Sequence, residues 1–485
     1  MLPDPDAAYL ALKARDARFD GRLFVGVTST GIYCRPVCRV RTPRRENCRF
    51  FASAAQAEAQ AFRPCLKCRP EIAPGLSVMD SSAALADAAA RAIEHGVHAG
   101  EAVSIAAVAA RLGVTDRHLR RIFTAAHGVG PQDYETTQRL LLAKRLLTDT
   151  DEPVAQVALA SGFGSLRRFN AAFAQRYRMP PTRLRREGAA PRTGDPLRLA
   201  WRPPCDVTGL LRFHAQRALP GVEAVDGLVL RRTLRLPSPR GPVAGWLACR
   251  MVPNRHELWL EPSPSLAPTL GGLLQRVRHA FDLDADPARI DPVLAALPHP
   301  APPGLRLPGS FDGFETAVRV ILGQQVTVQA ARTLAQRLVA AFGTPVPTPF
   351  PGLNRLFPDA ATLAAADPAD IGRLGIVRQR VRALQALAAE VAAGRLALHP
   401  GAPLQPTLDA LRALPGVGEW TTQLIALRVL GWPDAFPATD IGLLNALRPA
   451  LGARDATAAT RLAEAWQPWR GYAVIALWQT LETPT

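Results

Sequence analysis

The sequence has no apolar run long enough to span a bilayer, and its first nineteen residues carry acids but no apolar signal-peptide core. We therefore expect a soluble, cytoplasmic protein with no membrane partner. Cysteine is scarce, and four of the seven cysteines stand in two closely spaced pairs, which argues for a reducing compartment and against a disulfide framework. Acidic residues are also scarce, since 41 Asp and Glu face 58 Lys and Arg and leave a net charge of +17.

The excess of positive charge is greatest in the first part of the chain. Residues 1–200 contain 30 Lys and Arg against 19 Asp and Glu, whereas residues 201–485 contain 28 against 22. Both parts suit a partner that carries phosphate groups, the first more strongly. A composition rich in arginine and alanine is also typical of GC-rich genomes, so charge alone does not establish nucleic-acid binding.

The chain is too long for one hydrophobic core, and its patterning changes several times. We predict a multidomain α+β protein with five segments: a small metal-binding domain at 1–77, an all-α domain at 78–186, a linker at 187–196, an α+β domain at 197–303 and a second all-α domain at 304–485. Residues 227–236, 243–252 and 256–262 alternate with period two, which predicts an antiparallel sheet.

Two cysteine pairs form the most informative pattern near the start of the chain. Cys34 and Cys38 are separated by three residues, and Cys65 and Cys68 by two. Each pair can bind a metal ion from a turn, and four thiolates complete a tetrahedral zinc site. Arginines are dense around the first pair: Arg35, Arg39, Arg41, Arg44, Arg45 and Arg49. Two alternatives remain open here, a purely structural zinc and a zinc-bound nucleophile that works beside nucleic acid.

The strings TSTGIYCRPVCRVRTPRREN and FRPCLKCRPE resemble the zinc domain of the Ada adaptive-response proteins over about residues 1–75. The resemblance implies that Cys34 accepts a methyl group from a DNA methylphosphotriester, with Cys38, Cys65 and Cys68 remaining as zinc ligands. Four thiolates on one zinc ion leave a net charge of about −2, so the sulfurs stay nucleophilic. Methylation removes one negative charge, and DNA phosphate is then repelled less. We place Arg41, in the same segment, among the DNA-binding residues.

Residues 105–127 show the pattern of two helices joined by a turn. The first helix presents an apolar face made of Ile105, Val108, Ala109 and Leu112. Gly113 permits the turn, and either Thr115 or Asp116 can cap the second helix. In that helix we expect Leu119, Ile122 and Phe123 to be buried. Its free face is expected to carry Arg117, His118, Arg120 and Arg121.

The same pattern returns about fifty residues later. Gly162 stands in the turn, and the following helix is expected to bury Leu166, Phe169 and Phe173 while Arg167 and Arg168 point outward. Two such units can enter successive major-groove segments, although a plain helical bundle with solvated charges would show similar periodicity. Residues 101–186 resemble the AraC-type DNA-binding domain, which implies a transcription activator that works with promoter DNA and RNA polymerase.

The C-terminal part contains a glycine turn followed by an aspartate. In LPGVG, Gly416 and Gly418 lie between two apolar helices, where backbone N–H groups can bind one DNA phosphate. Alone this pattern also fits an ordinary helical hairpin. Asp440 follows at the start of another helix, where an aspartate is usually an N-cap. Together the two features are typical of the helix-hairpin-helix glycosylase superfamily.

Residues 197–485 resemble the AlkA-type 3-methyladenine DNA glycosylases, notably in RLPGSFDGFETAVRVILGQQVTVQAA, LPGVGEWTTQLIALR and FPATDIGLL. The resemblance implies that Asp440 is the catalytic carboxylate and that Trp420 and Trp478 hold the flipped base; as bare tryptophans they are more often core. The sequence departs from the family pattern at three positions. Leu424 and Ile441 stand where tyrosines are usual, and Gln325 stands where a leucine normally fills the gap left by the flipped base.

A lysine that forms a Schiff base in bifunctional relatives is replaced here by Trp420, so we predict a monofunctional enzyme that excises alkylated purines and leaves the backbone intact. The less aromatic pocket leads us to expect a preference for cationic bases. One alternative is a transcription activator whose glycosylase half only binds DNA. A second alternative keeps the glycosylase but assigns the zinc a structural role alone.

Overall fold

The computed structural model of this protein describes eight stretches of the chain: residues 4–15, 19–20, 23–70, 78–98, 103–149, 152–187, 196–238 and 241–482. The predicted linker at 187–196 lies outside these residues except at its ends. By internal packing the chain divides into two compact units, residues 1–91 with 105–134 and residues 92–104 with 135–485. Within the described residues no helix is long and apolar enough to cross a membrane.

The first unit combines a small sheet with short helices. Its strands are β1 (Phe24–Val27), β2 (Ile32–Cys34), β3 (Cys48–Phe51) and β4 (Arg63–Pro64), and its helices up to that point are α1 (Pro5–Ala14) and α2 (Ala54–Ala59). The strand order is β3-β1-β2-β4, with β1 antiparallel to both neighbours and β2 parallel to β4. A Cβ on Gly26 would lie 2.8 Å from the Phe51 ring and 2.9 Å from Phe62, so only glycine permits this close packing.

Helices follow the small sheet. They are α3 (Val78–His98), α4 (Ile105–Arg111), α5 (Asp116–His127) and α6 (Pro131–Asp149). Helices α3 and α6 run through the ranges of both units, whereas α4 and α5 belong to the first. Thr115, and not Asp116, caps α5, because its hydroxyl accepts the His118 N–H at 3.2 Å. Leu119, Ile122 and Phe123 are buried, as the sequence predicts.

The second unit begins with another helix-turn-helix and continues into a sheet. The helices are α7 (Val154–Ala160), α8 (Leu166–Tyr177), α9 (Pro181–Glu187) and α10 (Val207–Arg217). The strands are β5 (Leu197–Ala200), β6 (Glu223–Asp226), β7 (Val229–Leu236), β8 (Val243–Val252) and β9 (Glu257–Pro262). All pairs are antiparallel in the order β5-β9-β8-β7-β6. The three predicted strands are confirmed as β7, β8 and β9, while β5 and β6 were missed because each is only four residues long.

The rest of the second unit is helical. Its helices are α11 (Leu270–Ala280), α12 (Pro287–Leu294), α13 (Gly313–Leu322), α14 (Val328–Phe342), α15 (Ala360–Ala365), α16 (Pro368–Arg373), α17 (Arg378–Ala392), α18 (Leu404–Arg412), α19 (Glu419–Arg428), α20 (Ile441–Leu451), α21 (Ala456–Ala463) and α22 (Arg470–Glu482). Their apolar faces share one core with part of the sheet domain. The predicted fold class, a multidomain α+β protein with two all-α parts, is confirmed.

Candidate metal centre and candidate active site

Two parallel strands bring the cysteine pairs together. Cys34 is the last residue of β2, and Cys65 follows β4 directly. The Cys65 N–H donates to the Tyr33 carbonyl oxygen at 3.0 Å, which extends the pairing to the cysteines. The turns that follow complete a group whose ligand atoms all lie within 4.8 Å of one another: Cys34, Cys38, Cys65 and Cys68, hereafter the cysteine cluster.

The donor set of the cysteine cluster fits a zinc ion. Zinc–sulfur bonds of about 2.3 Å in a tetrahedron place the sulfurs about 3.8 Å apart, within the spread seen here. All four side chains are buried. Hydrogen bonds with Cys38 and with Cys68, and then burial, raise the pKa of the Cys34 thiol. Without a metal ion, some of the four thiols therefore keep their protons. A divalent cation can replace these protons, and the cysteine cluster has the ligands to bind one.

The four sulfurs differ in the hydrogen bonds that they accept. The Arg35 backbone N–H lies 3.4 Å from the Cys68 sulfur, and the Val40 backbone N–H donates to Cys38. A sulfur that accepts an N–H shares part of its electron density, so these contacts lower the nucleophilicity of Cys68 and Cys38.

The arginines around the cysteine cluster fall into two kinds. Arg35 is only 1% exposed, and its Nε donates to Asp20 Oδ1 at 2.7 Å, so it supports the fold and cannot reach DNA. Arg41 is exposed, as expected for a residue placed beside phosphate. Density of arginine in a sequence thus overstates the charge that is offered to a partner.

The second helices of both helix-turn-helix motifs present arginine to solvent. On α5 the exposed arginines are Arg117, Arg120 and Arg121, and on α8 they include the two assigned to DNA, Arg167 and Arg168. Arg120 is ion-paired with Asp116, with 2.7 Å between Nε and Oδ2, whereas the Arg121 guanidinium lies 3.1 Å from His118 Nδ1. The assignment of all five to DNA stays a prediction.

One burial prediction for α8 is wrong. Phe169 and Phe173 are buried, but Leu166 is 43% exposed. Leu166 is the first residue of α8, directly after the N-cap Ser165, whose hydroxyl accepts the Arg168 N–H at 3.3 Å. A side chain in the first turn projects beyond the helix end instead of onto the face that the later residues bury.

The glycine turn between α18 and α19 has the geometry that a helical hairpin requires. Gly416 has φ of +76°, which favours glycine, and Gly418 is the N-cap of α19. A Cβ on Gly418 would meet no atom within 4 Å, so the start of α19 is open to an approaching group. Gln324 Nε2 donates to the Gly416 carbonyl oxygen and to Thr421 Oγ1, both at 2.9 Å, and so ties the loop after α13 to the hairpin.

Asp440 is held by several hydrogen-bond donors. As N-cap of α20 it accepts the Leu443 N–H on Oδ1 at 2.8 Å, which confirms the capping interpretation. The Trp478 indole N–H donates to the same oxygen at 2.9 Å, and the Trp420 indole N–H donates to Oδ2 at 2.8 Å. Asp440 is only 8% exposed. Three N–H donors fix the orientation of the carboxylate and stabilise its charge.

A cavity of about 400 Å³ opens beside this carboxylate. Residues from α10, α13, α14, α19, α20 and α22 line it, among them Phe213, Val320, Trp420, Leu424, Asp440 and Trp478. The wall is mostly apolar. A mostly apolar cavity with one oriented carboxylate suits the stabilisation of a cation that forms inside it.

The remaining residues considered for the pocket differ in where they lie relative to the cavity wall. Leu424 is buried in the cavity wall, and Ile441 lines it while remaining 59% exposed at its mouth. Gln325 is exposed, has φ of +54°, and is not among the lining residues, although Val326 beside it is. The left-handed backbone at Gln325 turns the chain between α13 and α14, which places this side chain outside the wall.

Sequence reasoning missed the charged part of the wall. Four arginines line the cavity, Arg217, Arg319, Arg332 and Arg428, and they come from four separate helices. None of them stands in a recognisable motif of charged residues, and burial of an arginine cannot be read from its neighbours in the chain. The only available signal was an arginine inside each of two apolar helical stretches, VRVIL and LIALRVL.

Four family descriptions match successive parts of this chain. They are "Metal binding domain of Ada" at residues 7–71, "Helix-turn-helix domain" at 108–187, "AlkA N-terminal domain" at 196–312 and "HhH-GPD superfamily base excision DNA repair protein" at 318–471. Their order agrees with the order of the zinc-domain, AraC-type and AlkA-type resemblances in the sequence.

Named relatives cover the chain whole and in parts. A Mycobacterium tuberculosis (strain H37Rv) protein called "Probable bifunctional transcriptional activator/DNA repair enzyme AlkA" is 39% identical over 502 residues, covering 100% of this chain and 98% of its own. Escherichia coli "DNA-3-methyladenine glycosylase 2" is 35% identical over 58% of this chain and 96% of its own. Escherichia coli "Bifunctional transcriptional activator/DNA repair enzyme Ada" is 33% identical over 33% of this chain and 42% of its own. The chain therefore belongs to the family of bifunctional transcriptional activator/DNA repair enzymes of the AlkA type.

Proposed function

We propose that this protein activates transcription in response to DNA methylation and also removes alkylated purines from DNA by hydrolysing their N-glycosidic bonds. The observation that carries the enzymatic part is Asp440, a buried carboxylate with three N–H donors at the wall of an apolar cavity. Membership of the AlkA-type family supports both parts. A protein that works on chromosomal DNA belongs with the nucleoid in the cytoplasm.

The cavity suggests how excision proceeds. A base flipped out of the duplex enters the cavity, and Trp420 and Trp478 contribute ring surface to its walls. As the bond from the sugar to the base breaks, its electron pair leaves with the base, and positive charge develops on the sugar. The Asp440 carboxylate stabilises that charge and orients a water molecule that adds to the sugar. The water delivers its hydroxyl to the sugar and its proton to the medium or the base.

Replacing Asp440 with asparagine tests this assignment. Asp440→Asn should slow single-turnover release of 3-methyladenine from methylated DNA by about 100- to 1000-fold, the range for loss of one charge-stabilising group. The amide nitrogen would also face the Trp420 N–H, and the lost hydrogen bond should lower stability by about 1–3 kcal/mol. Melting temperature is therefore measured on the same samples.

A matched control separates capping from catalysis. Asp455 is the N-cap of α21 and accepts the Thr457 N–H at 2.8 Å, but it is exposed and does not line the cavity. Asp455→Asn should leave base release unchanged. A folded Asp440→Asn protein that excises at a near-normal rate would overturn the assignment.

For the first unit we propose a zinc-bound cysteine cluster that takes a methyl group from a DNA methylphosphotriester. When bound, zinc keeps the cluster sulfurs deprotonated at neutral pH. The Cys34 sulfur forms a bond to the methyl carbon while the methyl–oxygen bond breaks, and the electron pair stays on the phosphate oxygen as a diester anion. A thioether does not return the methyl group, so each molecule reacts once.

The assignment to Cys34 rests on its match to the methyl acceptor of the Ada-type zinc domain. Two of the other sulfurs, those of Cys38 and Cys68, each accept a backbone N–H, which lowers their nucleophilicity. After incubation with methylphosphotriester DNA, mass spectrometry should find one added methyl group on Cys34 with zinc retained. A label on another cysteine, or no label, would remove the sensor role.

The regulatory output is proposed to run through α5 and α8. Loss of one negative charge at the cysteine cluster reduces repulsion of DNA phosphate, so the methylated protein should bind its promoter more tightly and recruit RNA polymerase. Affinity is measured for methylated and unmethylated protein over a salt series. Equal affinities at low salt would exclude this electrostatic switch.

A further inference from the structure

A second, much smaller cavity shares part of its wall with the large one and has no place in the mechanism above. Phe213, Arg217, Arg319 and Arg428 line both cavities. The volume of the small cavity is about 20 Å³, and a buried water molecule needs about 10–15 Å³ of such space. Its wall is mostly polar. The small cavity therefore has room for one particle of about the size of a water molecule.

The wall of the small cavity carries more positive than negative charge. Its arginines are Arg217, Arg232, Arg319 and Arg428, and its acids are Glu223 and Glu315. Both glutamates are already bound twice, to Arg319 Nη1 at 2.8 and 2.9 Å and to Arg232 at 3.4 and 2.6 Å. Among the lining residues that the structure describes, the surplus is two positive charges. Such a surplus is costly where water is scarce, so it attracts an anion.

One residue of this wall has a polar atom without a partner. His214 lines the small cavity and is 7% exposed, and its Nε2 is buried with no hydrogen-bond partner among the described residues. The ring also hydrogen-bonds to the Ala280 carbonyl oxygen, which occupies its other N–H. Nε2 can therefore donate only when the imidazole is protonated. The Phe281 and Phe311 rings hold the imidazole in place, with 5.5 and 6.3 Å between ring centres.

Two groups in the wall report a positive potential in the small cavity. Burial, and then the charge of Arg428, lower the pKa of His214 to about 3, and Arg319 and Arg232 act in the same direction. Burial, and then the charges of Arg217 and Arg319, lower the pKa of Arg428 to about 9. An anion between them would raise both pKa values, because it favours the charged form of each group.

The remaining titratable groups near His214 lie on helix α11 and directly after it. Burial lowers the pKa of Arg276 below the usual arginine range and that of His279 to about 4. Burial also raises the pKa of Asp282 to about 7. The Asp282 carboxylate accepts the Leu307 N–H at 2.9 Å and the Tyr472 O–H at 2.8 Å, and it does not line the small cavity.

We propose that the small cavity binds one monovalent anion of halide size, together with a proton that His214 Nε2 takes up from solvent as the anion enters. The anion supplies the negative charge that the wall lacks, and it gives the protonated Nε2 an acceptor. A water molecule would satisfy Nε2 but leave the surplus charge. Phosphate has five heavy atoms and needs more room than one water molecule. Neither the surplus charge nor the proton depends on the proposed excision chemistry.

Bromide is the probe for this site, and tryptophan fluorescence is the readout. All eight tryptophans lie at residue 201 or beyond, so in the full-length protein they follow unfolding of the second unit alone. At constant ionic strength, bromide replaces gluconate, an anion too large for the small cavity. The melting temperature should rise by about 2–4 °C and then saturate as bromide increases.

The bromide gain should depend on pH. A bound anion raises the pKa of His214, so affinity is lost as the pH rises through that raised value. The gain should be larger at about pH 6 than at about pH 8, and Arg428, with a pKa of about 9, stays charged at both. The difference between bromide and gluconate cancels the titration of groups such as Asp282 that do not contact the anion.

Three variants separate the proton from the anion. His214→Gln keeps an N–H donor at every pH, so the bromide gain should remain and its pH dependence should vanish. His214→Phe removes the donor and should lose the gain. His299 lies outside both cavities, and His299→Gln should behave as wild type. If His214→Phe does not fold, the pH profile of His214→Gln still decides.

Anomalous diffraction from bromide-containing crystals of the wild-type protein locates the ion without any variant. A peak beside His214 Nε2 is expected. A water molecule there without bromide, or bromide in the large cavity alone, would overturn the proposal. So would a wild-type gain that does not saturate or is equal at both pH values, or a His214→Phe protein that keeps the wild-type gain.

Discussion

In the first unit, the four sulfur atoms of the cysteine cluster lie within 4.8 Å of one another. In the second unit, the Asp440 carboxylate is held by three neutral N–H groups at 2.8 to 2.9 Å. A cluster of four thiolates stays together only around a bound cation, and a divalent ion neutralises half of its charge. A carboxylate with neutral donors keeps its full charge and can offer it to a cation that forms during a reaction.

The comparison explains why one site suits a single reaction and the other repeated turnover. In the cysteine cluster the proposed nucleophile is also a ligand, so each methylation alters the structure of the site. At Asp440 the proposed role of the carboxylate is to stabilise charge, with no change to its own bonds. We therefore expect metal removal to affect the cysteine cluster and not excision. We expect loss of hydrogen-bond donors to Asp440 to affect excision and not the cysteine cluster.

Zinc removal should produce the largest effect and should fall on one site alone. A structural zinc contributes about 10–16 kcal/mol of apparent binding free energy, and the small sheet around β1 has little other core. A chelator should therefore expose residues 23–70 to protease while excision of 3-methyladenine continues. Limited proteolysis with mass spectrometry and a base-release assay on the full chain check this.

A matched cysteine variant sharpens the zinc experiment. Cys48 is buried, donates its S–H to the Arg44 carbonyl oxygen at 3.2 Å, and lies outside the cysteine cluster. Cys48→Ala should keep zinc and protease resistance, whereas Cys68→Ala should lose both. Unchanged protection after chelation, or loss of excision together with it, would contradict the separation of the two sites.

Removal of one indole N–H should have an intermediate effect. Trp420→Phe and Trp478→Phe each keep a ring in the cavity wall but delete one of three donors to Asp440. A hydrogen bond to a charged group is worth about 1.5–3 kcal/mol, so single-turnover base release should slow by about 10- to 100-fold in each variant.

Trp432 serves as the control for the indole variants. It packs against the same core but does not line the cavity. Trp432→Phe should leave the excision rate unchanged. If the three variants excise at the same rate, the indole N–H groups do not support catalysis. The comparison of the cysteine cluster with the Asp440 carboxylate would then lose its basis.

The smallest effect is expected at an exposed arginine of the first unit. Arg41→Ala should weaken DNA binding by removing about one phosphate contact, with the slope of log affinity against log salt reduced by about 1. Melting temperature should not change. Arg35→Met should lower the melting temperature and leave the salt slope unchanged. Loss of its buried ion pair with Asp20 should lower the free energy of unfolding by about 3–5 kcal/mol. Similar salt slopes for wild type and Arg41→Ala would remove Arg41 from the interface.

The comparison also shows what can be inferred from sequence. The cysteine cluster was predictable because its ligands sit on two short turns, where spacing along the chain fixes spacing in space. Asp440 was predictable as an N-cap for the same reason, since capping involves residues three positions apart. The inward faces of α5 were correct because helical period alone decides them, and Leu166 failed because it stands at a helix end.

The rest of the active site depends on distant contacts. That Trp420 and Trp478 direct their N–H groups at Asp440 follows from how α19, α20 and α22 pack, which no local pattern records. Glu223 and Glu315 are likewise shared by Arg232 and Arg319, which come from a strand and a helix that lie far apart in the chain. Such a balance of charges can be counted only once the helices are assembled.

The first unit and the glycosylase have separate hydrophobic cores, one around Tyr33, Phe51 and Phe62 and the other around the helices that surround the cavity. Under the proposed mechanism, a molecule whose cysteine cluster has taken its methyl group can no longer act as a sensor, whereas the packing behind Asp440 belongs to the other core and is unchanged, so the same molecule still excises bases. The record of past alkylation and the capacity to repair it would then rise together, because both reside in the same population of chains.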